Sequence, residues 1–300
     1  MSKQKSDELE QLCKKLASIH KSTVLAIILP DEPLLPSHLL QVQKSISGKK
    51  CKKLDIVIHS GGGDINTAYQ IVELLRRCCD NMTTVIPLYA KSAASLFILG
   101  SNEVVMGELA QSGPLDTQIP EREKGGRKYT SALNPFKTLE ELQRFALETL
   151  DVTVKLLLAR ADLSVDDAIK RAMDFASKIS APLLAQLNAE KVGEYSRALE
   201  IGKEYGERLL RRFTKWQDKT KRDIILEKII RGYPSHDYII DYEELNELGF
   251  DVRLPSDSEK PVFDEIIEYI LATQKTEILA VSEEEGTSSI EKAKSRKKRG

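Results

Sequence analysis

The sequence predicts an α/β protein built on a parallel sheet, with a helical elaboration after residue 138. Three observations carry this. Short apolar runs recur between residues 24 and 106, each the length of a buried strand. Helix-period segments separate them, the alternation of a right-handed parallel arrangement. Beyond residue 138 the strand signal stops, and four long helical patterns follow one another.

In chain order, residues 3–20 read as a charged helix and 24–29 as a strand ending at Pro30. Pro33, Pro36 and Ser37 make a loop, with Ser37 placed to cap a helix through about Ile46. Residues 54–58 are a strand. Residues 65–79 carry apolar side chains at 65, 68, 71, 72, 75 and 79, one helical stripe. Residues 83–88 are a strand, 93–99 a buried helix without a charge, and 103–106 a strand, followed by a turn at Gly113-Pro114. Helices follow over 139–159, 165–179, 183–212 and 221–230; Ser164-Val165-Asp166-Asp167 is a capping signal for the second. Residues 238–240 return to strand, a short helix runs to Leu248 with Gly249 as its C-cap, and residues 261–280 form a last amphipathic helix. From Ser282 the chain has the Glu-, Ser- and Lys-rich composition of a disordered tail, its basic run at 292–299 preceded by Glu283-Glu284-Glu285. The expected organisation is an N-terminal helix (1–22), an α/β core (23–138 and 232–256), a helical region (139–231), a C-terminal helix (257–281) and the tail (282–300).

Bulk properties exclude several function classes. A net charge of −1 provides no global field for nucleic acid. No apolar run approaches the ~20 residues of an integral membrane segment, and the charged N-terminus lacks a signal-peptide core, so a cytoplasmic protein is expected. Cys13, Cys51, Cys78 and Cys79 form no C-x-x-C pair, which argues for reduced thiols rather than a disulfide framework or zinc site.

Two small-residue turns carry the chemistry. The first is His59-Ser60-Gly61-Gly62-Gly63-Asp64, the second Ala90-Lys91-Ser92-Ala93-Ala94-Ser95; each follows a predicted strand and opens a helix. Glycine lets backbone N–H groups approach a ligand and adopts φ > 0. A phosphate loop would need Lys-Ser/Thr after its last glycine, where this chain has Asp64-Ile65, and G-x-G-x-x-G is also absent. Asp64 would repel phosphate but suits the cap of the helix at Ile65. The glycine turn is therefore either a tight structural turn or an oxyanion donor at Gly62 or Gly63. Ser92 and Ser95 could each simply cap their helix. Ala93 and Ala94 leave room beside Ser92, however, and the Ala93 N–H would point at the space its hydroxyl occupies. A nucleophile with an oxyanion hole is the equipment of acyl transfer.

The order strand–SGGGD–helix–strand–AKSAAS–helix–strand–VVMGELAQSGPLD resembles the core of the Clp protease/crotonase superfamily. Within it, the chain is most similar to the serine dehydrogenase proteinase family, cousins of signal peptide peptidases and of the peptidases that cleave stomatin. The likeness covers roughly residues 23–120 and returns over 238–251. It implies the ββα superhelix of that fold and an ATP-independent serine peptidase needing no metal or cofactor. Its substrate would be a peptide or protein, paired by its backbone with the glycine turn, and its assembly a homo-oligomer. Matching Ser92-Ala93-Ala94-Ser95 to the relatives' pattern puts the nucleophile at Ser92, with Ser95 one turn on as a supporting hydroxyl. The amides of Gly63 and Ala93, with Gly62 adjacent, become the oxyanion donors. Clp protease takes its histidine from the turn after the nucleophile helix, and residues 108–118 contain none. The other relatives use a lysine, and Lys137 stands at a similar spacing. Lys124 and Lys128 read as a solvated, glycine-rich loop, and Lys91 should project away from Ser92. His236, with Asp237 or Asp241 to orient it, competes as base. His59 sits at the mouth of the glycine turn, His20 and His38 have no such company, and Asp116 would fix its loop. Two rival readings are an inactive oligomeric or peptide-binding scaffold, and crotonase-like acyl-CoA thioester chemistry.

Overall fold

The computed structural model describes residues 2–115, 118–123, 126–131, 133–273 and 275–282. Asp116, Lys124 and the tail from Glu283 onward lie outside the described residues. The chain forms two compact units, Met1–Gln118 with Ile201–Gly300, and Ile119–Glu200.

The first unit opens with helix α1 (Ser2–His20), strand β1 (Thr23–Leu29), helix α2 (Pro36–Ile46), strand β2 (Cys51–Ser60) and helix α3 (Ile65–Arg76). Strands β3 (Cys79–Ile86) and β4 (Tyr89–Ala90) lead to a 3-10 turn, Ser92–Ala94, continued by helix α4 (Ser95–Leu99). Strands β5 (Glu103–Met106) and β6 (Gln111–Ser112) complete this stretch. The central order is β10-β1-β2-β3-β5-β9, where β9 is Val252–Arg253 and β10 is Glu277–Val281; β4 pairs with β2 and β6. Every pairing is parallel except β10 on β1. Parallel strands covered on both faces read as unbroken apolar runs, and all seven residues of β1 are buried. Val24, Ala26, Ile28, Val57, Val85 and Val105 join Leu9, Leu12 and Leu16 of α1 and Phe263 and Ile266 of helix α10 (Lys260–Ala272) in one cluster. The alternate residues Leu25, Ile27, Ile56 and Ile58 are buried on the opposite face.

The second unit contains most of a hairpin, β7 (Gln118–Glu123) with β8 (Gly126–Ser131), and two long helices, α5 (Leu133–Arg160) and α6 (Val165–Leu184). Lys128 thus lies in a strand rather than a loop. Ser164 caps α6 by accepting from the Asp167 N–H at 3.2 Å. Ala168, Ala172, Ala176 and Ser180, one per turn, are the buried residues of α6, where α5 and α6 pack. Helix α7 (Ala189–Phe213) returns the chain to the first unit, which then holds α8 (Lys219–Arg231) and α9 (Tyr242–Glu247).

Three expectations need correction. Helix α2 begins at Pro36, with Leu35 at the N-cap, so Ser37 lies inside it; the Leu35 N–H donates to His38 Nδ1 at 3.1 Å. Residues 238–240 contribute a single bridge, Ile240 to Ser112, rather than a strand. The last helix stops at Ala272, where Thr273 takes extended backbone, and residues 277–281 become β10. An apolar run this short reads equally as helix or strand; the open edge of β1 decides it by supplying antiparallel partners.

Candidate active site

Strand β2 delivers Ser60 to the carboxyl end of the sheet, where the chain turns through Gly61–Gly63 into α3. Gly62 and Gly63 have φ of +103° and +144°, open to glycine at little cost. A Cβ on Gly62 would stand 2.5 Å from Ser92 Cβ and 2.8 Å from its Oγ. The two turns singled out in the sequence are therefore in contact, and only glycine fits between them. On its other side the turn meets Leu34, whose N–H donates to Gly62 O at 2.7 Å and whose carbonyl accepts from Asp64 N at 2.8 Å. That bridge uses the groups flanking Gly63, so the N–H of Gly63 itself faces the opposite edge. The Gly62 N–H is already engaged, donating to Ser60 Oγ at 3.1 Å. Asp64 caps α3, its Oδ1 accepting from the Thr67 N–H at 2.7 Å and the Thr67 hydroxyl at 2.6 Å.

Ser92 follows β4 and is 1% exposed. Its φ is +54°; Lys21 is the other non-glycine residue with positive φ among the described residues. For an L-residue this costs about 1–2 kcal/mol, and such strain clusters at functional positions. The Lys91 N–H donates to Ser60 O at 3.0 Å and the Ala94 N–H to Lys91 O at 3.0 Å, which pins the turn. Ala93 lies in the first helical turn, where backbone N–H groups have no partner within the helix. Ser95 is buried one turn on, its hydroxyl donating to Gly113 O at 2.8 Å. Ser60, Ala90, Ser112 and Ile240 lie side by side through successive pairings, closing the floor.

His59 is not at a mouth. It is 2% exposed, its ring lies 3.9 Å from that of Tyr89, and its Nδ1 has no hydrogen-bond partner among the described residues. Burial pushes its pKa down to about 4, against a weak upward pull from Asp31. His20 and His38 do have company. His20 Nδ1 bonds Asp55 Oδ2 at 2.6 Å and its Nε2 bonds Glu259; His38 Nε2 lies 3.5 Å from Glu32. His236 is half-buried, four residues before the Ile240 bridge. Lys137 belongs to the second unit, as the fifth residue of α5, and its Nζ donates to Glu140 Oε2 at 2.9 Å. Sequence reading missed Ser60, which holds the Gly62 amide, and Leu34, which holds the turn. A serine before three glycines was the available signal for the first; for Leu34 there was none.

A mostly parallel α/β sheet whose glycine turn presses on a strained serine defines a ClpP-like fold with the layout of a serine hydrolase. The chain belongs to the family of ClpP-like SDH-type serine proteinases, whose pattern matches residues 40–203, more than half of its length. Two uncharacterized proteins of Methanocaldococcus jannaschii are similar to it. One is 28% identical over 200 residues, 67% of this chain and 52% of that protein; the other is 28% identical over 203 residues, 68% and 54%. The chain thus spans about half the length of the curated relatives it matches. No helix among the described residues is long and apolar enough to cross a membrane.

Proposed function

We propose that this chain hydrolyses peptide bonds in peptide or protein substrates through Ser92, by a mechanism that requires neither ATP nor a metal or cofactor. The observation that carries the reading is the left-handed backbone of Ser92, packed against a glycine that admits no Cβ. Ser92 Oγ forms a bond to the substrate carbonyl carbon while a base takes its proton. The amides of Gly63 and Ala93 donate to the resulting oxyanion. Collapse breaks the C–N bond, the base returns its proton to the leaving amine, and water then hydrolyses the acyl-enzyme. Gly62, whose amide is engaged by Ser60, has a steric role: it lets the two turns touch. Ser95 supports the helical turn through Gly113. Lys137 is the proposed base; it must part from Glu140 and release the proton of that ion pair, so that its neutral amine can accept the proton of Ser92; His236 is the alternative. Homo-oligomeric assembly and a cytoplasmic setting belong to the same proposal.

The test is labelling of the full-length protein with a fluorophosphonate probe. Wild type and Ser95→Ala should label, and Ser92→Ala should not. Lys137→Ala should slow labelling by about 10²–10⁴-fold, the usual share of a general base, with the circular dichroism spectrum unchanged. Loss in His236→Ala with retention in Lys137→Ala would move the base to His236. Undiminished labelling of Ser92→Ala would place the reactive serine elsewhere, and a wild type that neither labels nor cleaves a denatured protein substrate would sink the reading in favour of a scaffold.

A further inference from the structure

The amino end of the sheet, away from Ser92, holds a basic cavity. Strands β1 and β2 start out of step: Thr23 pairs with Leu54, so residues 51–53 overhang β1. The overhang, the turn between α1 and β1, and the Gly48 turn after α2 enclose about 530 Å³. Lys21, Lys49, Lys50, Lys52 and Lys53 line it, with no carboxylate and no aromatic ring among the lining residues. Lys50 and Lys52 also line a neighbouring cavity of about 380 Å³, which adds Arg76 and Arg77 and one acid, Asp80.

Lys14, Lys15, Lys203, Lys215, Lys228 and Lys260 of this unit each face a carboxylate. Lys44, Lys91, Lys219, Lys221 and Lys275 form no ion pair among the described residues, but none of them lines this cavity. Lys49 Nζ donates to the Ala280 carbonyl at 3.3 Å, and Lys21, Lys50, Lys52 and Lys53 form no ion pair among the described residues. Asp55, close by, is already bonded to His20 and Ser22. The whole chain has a net charge of only −1, so the excess is local. Helices α1, α2 and α3 all end towards this pole, and helix carboxyl ends favour cations. That accounts for Lys21, Arg76 and Arg77. It does not account for Lys50, Lys52 and Lys53, which lie on β2 and the turn before it. Lys21 itself sits at φ +52° just past α1, where the Ser22 N–H reaches back to Ala17 O at 3.2 Å. Helix stops of this kind favour glycine, yet here the position holds a charge.

We propose that this cavity binds a compact polyphosphate anion, carried by inorganic polyphosphate or by the phosphate chain of a nucleotide. Lysine ammonium groups are point-charge ligands for phosphate. Crowded like charges repel one another until an anion neutralises them, and a concave wall focuses their field. The volume lies in the range of small-ligand sites. Without an aromatic ring to stack on, a base is not read, and the lysine residues gather at one concavity instead of along a groove. This inference is independent of the serine chemistry.

The test is calorimetric titration of the full chain with sodium tripolyphosphate at low and at physiological salt. One ion should bind, more weakly as salt rises. Lys50→Gln/Lys52→Gln/Lys53→Gln should weaken binding at least tenfold, while Lys14→Gln/Lys15→Gln leaves it within twofold. The circular dichroism spectrum and melting temperature of the triple variant should match wild type, which shows it folded, and Ser92→Ala should bind as wild type does. Equal binding of tripolyphosphate and ATP with none of adenosine would support recognition of phosphate alone. The proposal is overturned by no tripolyphosphate binding, by equal binding to the triple variant, or by ATP binding where tripolyphosphate does not. Tighter binding of a duplex oligonucleotide that depends on the same lysines would assign the surface to nucleic acid instead.

Discussion

Serine, histidine and carboxylate meet at one end of this sheet, and the candidate nucleophile stands at the other. At the amino end, Ser22 Oγ donates to Asp55 at 2.6 Å, Asp55 bonds His20, and His20 bonds Glu259. Arg253 grips Glu259 through both terminal nitrogens at 2.7 and 2.8 Å. Burial disfavours the charged form of His20, but the bonds from Asp55 and Glu259 outweigh it and raise its pKa. Burial would likewise raise the Glu259 carboxyl, yet Arg253 and Ser256 hold it at about 2. The ingredients of a catalytic triad are present, but the serine bonds the carboxylate, and carboxylates occupy both histidine nitrogens. No base is free to take a proton from Ser22. At the carboxyl end the backbone is bent into a costly region at Ser92, and the amide of Gly63 faces away from the Leu34 segment that pins the turn. A satisfied network holds a fold together, whereas backbone strain of the kind seen at Ser92 clusters at functional positions.

The comparison can be pressed with four substitutions. Glu259→Gln should be the most destabilising, by about 3–5 kcal/mol in denaturant unfolding, because it strands charges built around a buried carboxylate; a loss below 1 kcal/mol would mean that the amino end is not held by this network. His59 tests the carboxyl end by pH. Its pKa is about 4 in the fold against 6.5 in the free side chain. Below pH 6.5 the unfolded chain takes up a proton that the folded one refuses, so stability falls as pH drops from 6.5 to 4, by about 3 kcal/mol. His59→Phe keeps a ring beside Tyr89 and should flatten that slope; an unchanged slope would place its origin elsewhere. Ser92→Gly should abolish labelling yet raise stability by about 1 kcal/mol, since glycine tolerates the left-handed backbone. A lower melting temperature would show that the serine is structural. Asp64→Ala, which removes only the cap of α3, should cost about 1 kcal/mol in the same unfolding measurement and leave labelling largely intact.

Much of this arrangement was legible in one dimension because its causes are local. The runs at 24–29 and 54–58 read as buried parallel strands because both their faces are apolar. Ser60-Gly61-Gly62-Gly63-Asp64 read as a turn into a helix because glycine and a capping aspartate act within a few residues. The order of the two turns was enough to suggest the fold. The partners of His20 were illegible: they stand 35 and 239 residues away, and no local pattern marks them. The same holds for β10, whose identity as a strand comes from the edge of β1.

By itself, then, the sequence determined the alternation of strand and helix and the two turns, because periodicity, glycine and capping are properties of neighbouring residues. Only the tertiary structure decided that Gly62 touches Ser92, that the Gly62 amide is taken while that of Gly63 is turned to the other edge, and that His59 is buried and neutral. Those outcomes depend on which segments of the chain pack together and how much water they exclude, and that is settled by contacts between residues far apart in the chain.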